Sequence, residues 1–149
     1  MLNQKTIQMD RSMELLSFLK TQSRNKVVFY IEGIKDITEI DLGTELSQVL
    51  YNLYDLTKLP MKVLHELEII MNKATIEHEL FGRSLAISNL GILFEPELKV
   101  DLKSLLEKYS NTNVLFVKWE GEIDDENLYF LSKEKGLKTN IKNLSHIII

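Results

Sequence analysis

Apolar and polar positions change their period several times along the chain, and each change marks an element. Over 9–20, Met13, Leu16 and Leu19 or Lys20 recur at helical spacing, Leu15 and Phe18 widen the stripe, and Asp10 or Ser12 can cap it, which predicts a first helix. Residues 26–33 form a continuous apolar run, Val27, Val28, Phe29, Tyr30 and Ile31, closed by Gly33. Unbroken runs of β-branched and aromatic residues predict a strand covered on both faces, as in a parallel sheet. Over 34–42, Ile37, Ile40 and Leu42 stand among acidic residues, which predicts a short strand or an extended connection. Leu46, Val49, Leu50 and Leu53 then stripe a helix over 44–56, and Pro60 opens another to 73 with Val63, Leu64, Leu67 and Ile70 inward.

The second half repeats the strand and helix signals at βαβ lengths. A short apolar stretch over 83–90 predicts a buried strand, Pro96 and Glu97 open a helix to 109 carrying Leu98, Leu102, Leu105 and Leu106, and 113–119 predicts a further strand. Residues 127–132 and 144–149 add two more strands, the last, with Ile147, Ile148 and Ile149, completing the sheet or pairing with another chain. No repeat, low-complexity tract or linker divides the sequence, so residues 1–149 read as one α/β domain.

Composition narrows the chemistry. A chain of 149 residues with 44% apolar and 27% charged positions has the makeup of an ordinary globular domain. Cysteine is absent, which excludes disulfides, thiolate metal sites and cysteine nucleophiles. Residues 1–11 are polar, and no stretch approaches the roughly 18 apolar residues of a membrane span, so a cytoplasmic location without membrane contact is expected. The net charge of -4 argues against wrapping nucleic acid; Lys133, Lys135, Lys138 and Lys142, mixed with Glu134, read as a solvated hairpin or strand edge.

Glycine after a buried strand is where a nucleotide-binding α/β protein places its phosphate loop, because glycines let backbone N–H groups close on phosphate oxygens. Gly33 is followed by Ile34, Lys35, Asp36, Ile37 and Thr38, with no second glycine, and no Gly-Lys pair occurs anywhere. Both the G-x-x-x-x-G-K-[ST] and G-x-G-x-x-G patterns are therefore missing. Lys35 is the one cation near Gly33 that could imitate a phosphate lysine. A Walker B strand ends in an aspartate that holds magnesium, and Ser88 stands there instead, followed by Asn89. His65, His78 and His146 do not form a metal pattern, Glu97 and Lys99 lack the preceding aspartate strand of a nuclease, and the acidic run 120–126 reads as a solvated turn.

The segment 85–121 is similar to the small BrxF-type P-loop proteins of BREX phage-defence systems. The likeness rests on Asn89, on Leu93, Phe94, Glu95 and Pro96, on Leu98, Asp101, Leu102, Leu105 and Leu106, on Ser110 and Asn111, and on Trp119 and Gly121, with Leu128 and Tyr129 in the next strand. A weaker match runs through 26–33 and 42–53. Family members carry a phosphate loop and its helix after the first strand, whereas this chain passes from Gly33 almost directly into 37–42.

The resemblance implies a three-layer P-loop-NTPase-like domain with a mostly parallel central sheet and a lost phosphate loop. Gly33, Ser88 and Asn89 then mark a degenerate nucleotide site. It further implies a non-enzymatic accessory or adaptor subunit of a multi-protein phage-defence system, with no cofactor and no metal, working through other protein subunits or further copies of itself and reaching nucleic acid only indirectly. Phe94 and Trp119 are the interface candidates, with core packing as the alternative for each. A nucleotide-binding protein with a non-standard phosphate site and a nucleic-acid-binding accessory module are the alternative functions.

Overall fold

The computed structural model describes residues 13–21, 24–34, 36–53, 57–130, 133–134 and 137–149. The central sheet contains β1 (Val27–Tyr30), β2 (Ile40–Asp41), β4 (Gly82–Ser88), β5 (Val114–Lys118) and β9 (His146–Ile148) in the order β2-β4-β5-β1-β9. Every neighbouring pair in that order is parallel, and β3 (Ile76–His78) lies antiparallel against the start of β4. The fold is thus α/β with a mostly parallel sheet, and the apolar runs at 27–30 and 84–87 are buried on both faces because they occupy its interior.

Alternation along the strands divides the core in two. Val27, Phe29, Leu85, Ile87, Leu115 and Val117 point to the face packed by α2 (Leu42–Leu53), α3 (Leu59–Ala74) and α4 (Leu102–Ser110). Val28, Tyr30, Ala86 and Phe116 point to the other face, where the helix α1 at 13–19 contributes Leu15, Phe18 and Leu19, and Ile34 and Ile37 add a thin cover. A smaller antiparallel sheet, β6 (Glu122–Ile123), β7 (Asn127–Tyr129) and β8 (Lys138–Asn140), joins the first core through Leu128, Ile141 and Leu144.

The two parallel connections differ in kind. Between β4 and β5 the chain makes 3-10 turns at Gly91–Phe94 and Pro96–Leu98, takes a left-handed residue at Lys99 (φ 51°), and enters α4 through the Asp101 N-cap. The expected single helix over 96–109 is therefore broken. Between β1 and β2 only residues 31–39 intervene, short of the dozen or more residues such a crossover usually needs. Register explains how this is possible. Ile40 pairs with Ile87, which pairs with Val117, itself level with Phe29, so β2 starts near the carboxyl end of β1. The strap 31–39 must cross only three strand spacings, about 14 Å, without returning along the sheet.

Several expectations shift in detail. Ile31 is 70% exposed and lies beyond β1, Met13 faces solvent, and Leu64 is 51% exposed while Met71 takes an inward position on α3. The candidate caps Asp10 and Ser12 lie outside the described residues. The isoleucine-rich strand near 147 completes the sheet against β1. Among the described residues no helix is long and apolar enough to cross a membrane.

Candidate functional site

Open parallel sheets bind ligands beyond the carboxyl ends of their strands, where connections from neighbouring strands diverge. Here the strap from β1 departs over β5 and β4 towards β2, while the chain leaving β5 builds the small sheet and returns beyond β1 as β9. The strap reaches the carboxyl edge between β1 and β5 through Glu39. Glu39 reaches Lys118 Nζ at 3.8 Å, and a Cβ on Gly33 would lie 3.9 Å from Oε1 of Glu39. The Tyr30 hydroxyl below is buried without a hydrogen bond of acceptable geometry. Burial first, and then the adjacent Glu39 carboxylate, raises its ionisation far above the ordinary tyrosine value.

The end of β4 joins the start of α2 in a tight junction. Asp41 Oδ1 accepts from the Thr44 backbone N–H (2.9 Å), capping α2, and from Asn89 Nδ2 (2.9 Å). The Thr44 N–H first, and the Asn89 amide second, hold the exposed Asp41 carboxyl below its ordinary range. Asn89 adopts a left-handed conformation (φ 57°), which asparagine tolerates, and sits so close to Gly43 that a Cβ there would lie 2.8 Å from the Asn89 carbonyl oxygen. Ser88 Oγ donates to the Ile40 carbonyl at 3.3 Å.

Beside this junction opens a cleft of about 750 Å³. It is lined by the polar Thr44, Ser47, Gln48 and Asn89, by the apolar Ile92, Phe94, Pro96, Phe130 and Leu137, and by Glu95. Phe94 and Phe130 stack at 5.0 Å and 15°, and Phe130 lies close to Gly91, where a Cβ would come within 2.8 Å of its ring. A smaller hollow of about 290 Å³ continues past Asn89, Gly91 and Phe130 to Lys118 and Trp119.

The residues singled out in the sequence are thus separated. Asn89 lines the cleft, Ser88 is engaged with β2, and Gly33 faces Glu39 in the strap, so the three share the carboxyl edge but no single cavity. Lys35 lies outside the described residues. Phe94 is half-buried in the cleft wall, whereas Trp119 is 6% exposed, packs edge-on against Phe94 at 6.2 Å, and donates from Nε1 to the Glu122 carbonyl at 3.1 Å.

Trp119 and Gly121 form one corner: a Cβ on Gly121 would overlap the Tyr129 carbonyl oxygen. Asp124 turns the acidic run into β7, accepting from the N–H groups of Glu126 (2.9 Å) and Asn127 (2.8 Å) and from the Tyr129 hydroxyl (2.9 Å).

The histidines stand apart. His78 Nδ1 accepts from Leu80 and Phe81 N–H groups, His146 stands edge-on to Phe29, and His65 is exposed on α3. Among the described residues no group of three His, Asp or Glu side chains could hold a metal ion. Lys133 rests against Asp124 (3.8 Å) and over the Tyr129 ring. Sequence reasoning missed Thr44, Gln48, Phe130 and Leu137; the only early signals were the Asp-Leu-Gly-Thr helix start and an unpaired aromatic after the Leu-Tyr strand. No protein-family model, curated protein or solved structure matches this chain.

Proposed function

We propose that this protein is a non-enzymatic adaptor built on a P-loop-like scaffold that has lost its nucleotide site. On this reading it works in the cytoplasm as an accessory subunit of a BREX-like phage-defence assembly. The observation that carries the reading is the nine-residue strap between β1 and β2. A phosphate loop needs a turn of backbone N–H groups followed by a helix N-terminus. The strap leads into β2 rather than straight into a helix, and it brings a carboxylate, Glu39, to the carboxyl edge where a phosphate would need cations.

Two further features support it. β1 lies inside the sheet, between β5 and β9, the setting in which a doubly wound protein carries its phosphate loop. The residues of the resemblance also act as joints: Asp101 caps α4, and Trp119 and Gly121 build the corner into the small sheet. Their spacing is a requirement of the scaffold and survives loss of the ligand. A partly apolar cleft beside this edge suits binding of another protein.

Thermal denaturation with and without ATP and Mg²⁺, together with affinity purification from the native host, tests the reading. The expected outcome is an unchanged melting temperature and co-purification with the products of neighbouring defence genes. Saturable ATP binding at one site per chain would overturn it.

A further inference from the structure

Away from the carboxyl edge, the tip of the β3–β4 hairpin holds an unexplained polar group. We infer that His78 makes this tip an acid-sensitive latch, closed while its imidazole is neutral and released when the ring takes a second proton. The inference stands independently of the adaptor reading.

The hairpin closes through a three-residue loop. Glu79, Leu80 and Phe81 join His78 to its register partner Gly82, which takes the left-handed conformation (φ 73°) that such loops need at their end. Two backbone N–H groups of the loop turn to the His78 ring: Nδ1 accepts from Leu80 at 3.1 Å and from Phe81 at 3.3 Å. Nδ1 is therefore the bare nitrogen, and the neutral ring carries its proton on Nε2. That Nε2 is buried and has no acceptor.

A second proton has no place in this arrangement. Carried on Nδ1, it would face two N–H groups, and the charged ring would hold two donors with an acceptor for neither. Phe81 lies parallel to the ring at 4.3 Å and 13°, and an aromatic face attracts a cation. That attraction is outweighed by loss of both loop bonds together with a buried, unpaired charge.

Neighbouring charges do not supply the missing acceptor. The hairpin's own are Glu77, Glu79 and Arg83, all exposed; on the same sheet face α1 carries the exposed Glu14, followed by the exposed Lys20, and Lys26 gives its ammonium to the Leu19 carbonyl at 2.9 Å. Lys118 and Glu39 pair at the far, carboxyl end of the sheet. No ion pair among the described residues includes His78.

The latch holds down core surface. Phe81 packs against Phe116, ring centroids 5.5 Å apart, in the thinly covered second core, and Leu80 beside it is already 65% exposed. Release of the loop turns Leu80 and Phe81 together into an apolar tip.

NMR of the full chain from about pH 8 to about pH 5, the span over which histidine changes charge, tests this. The ring ¹⁵N shifts of His78 should report the Nε2–H form at the higher pH. As the ring becomes charged, the Leu80 and Phe81 amides should shift or broaden with it, while those of Val27, Leu85 and Leu106 stay in place. His78→Asn puts an oxygen acceptor where Nδ1 stands and cannot titrate, so its loop amides should ignore pH. In His78→Phe, hydrogen exchange of the Leu80 and Phe81 amides at the higher pH should be about tenfold faster than in wild type, as loss of one or two neutral hydrogen bonds implies.

A charged ring with unmoved loop amides, a ring that stays neutral throughout while the fold persists, or the same acid response in His78→Asn would each overturn the inference. Global unfolding that moves Val27 and Leu106 in step with the loop would overturn it as well. If His78→Asn fails to fold, the ring and loop signals of the wild-type chain decide alone.

Discussion

Two connections join parallel strands at the same edge of this sheet, and they solve one geometric problem in opposite ways. From β4 to β5 the chain winds through two 3-10 turns and α4, burying Leu93, Leu98, Leu102, Leu105, Leu106 and Tyr109 on the way. From β1 to β2 it uses nine residues, of which the described Ile34, Ile37 and Glu39 are half-buried, and is pinned by an ion pair. The first connection is a piece of the core. The second is a strap over an edge, and its brevity is possible because β2 keeps just two residues, level with the end of β1. The comparison teaches that a parallel sheet can do without a crossover helix where the following strand is short and lies level with the carboxyl end of the preceding one.

The contrast yields graded expectations for stability, each read as the shift in urea unfolding midpoint. Leu106→Ala removes a fully buried side chain from α4 and should cost about 2–5 kcal/mol; a loss below 1 kcal/mol would place α4 outside the cooperative core.

Gly43→Ala probes the point where the two connections touch, because the new Cβ would meet the Asn89 backbone oxygen as well as its side chain. Overpacking of that kind costs about 1–3 kcal/mol. The helix-propensity gain from alanine, about 1 kcal/mol at most in a helix interior, is smaller at the first turn. A stabilised Gly43→Ala protein would show that the junction is loose.

Asp41→Ala removes the α2 cap at the landing of the strap and should cost about 1 kcal/mol at neutral pH. Because the folded carboxyl is a stronger acid than the unfolded one, its contribution is complete above its ordinary value of 3.8 and is lost as pH falls through the lowered folded value. The gap between wild type and Asp41→Ala should therefore narrow in acid, and a gap that stays constant down to the acid limit of folding would refute the charge-based account. The smallest effect belongs to Glu39→Gln. A partly exposed pair is worth about 0.2–1 kcal/mol, and molar salt should mimic the substitution.

Much of the scaffold was legible because its interior strands are continuous apolar runs. β1, β4 and β5 appear where Val27, Leu85 and Val114 begin such runs, and α2 and α3 follow from their stripes. β3, β6 and β8 were not legible. They have two or three residues each, and Glu77, Glu122, Lys138 and Asn140 give them no apolar alternation to read. The helix break at Lys99 was hidden because both Pro96 and Asp101 are acceptable helix starts, and only tertiary packing of Leu98 selects between them. The site divides in the same way. Gly33, Ser88 and Asn89 are marked locally by strand ends, whereas the cleft needs Thr44, Phe94, Phe130 and Leu137 to meet from four separate segments.

The placement of β1 inside the sheet has a kinetic consequence. Val27 pairs with Leu115 on one side and with His146 on the other, so this strand is synthesised long before either neighbour exists. During translation its Val27, Val28, Phe29 and Tyr30 run has both edges open while most of the chain is still being made. Distant pairings of this kind form slowly and leave apolar strands available to chance partners. The strap, by contrast, lands at β2 early, but β2 itself waits for β4, so the carboxyl edge closes only when the last third of the molecule arrives. Assembly of this fold therefore waits for its latest-made segments, and the β1 run is the apolar stretch left unpaired in the interval.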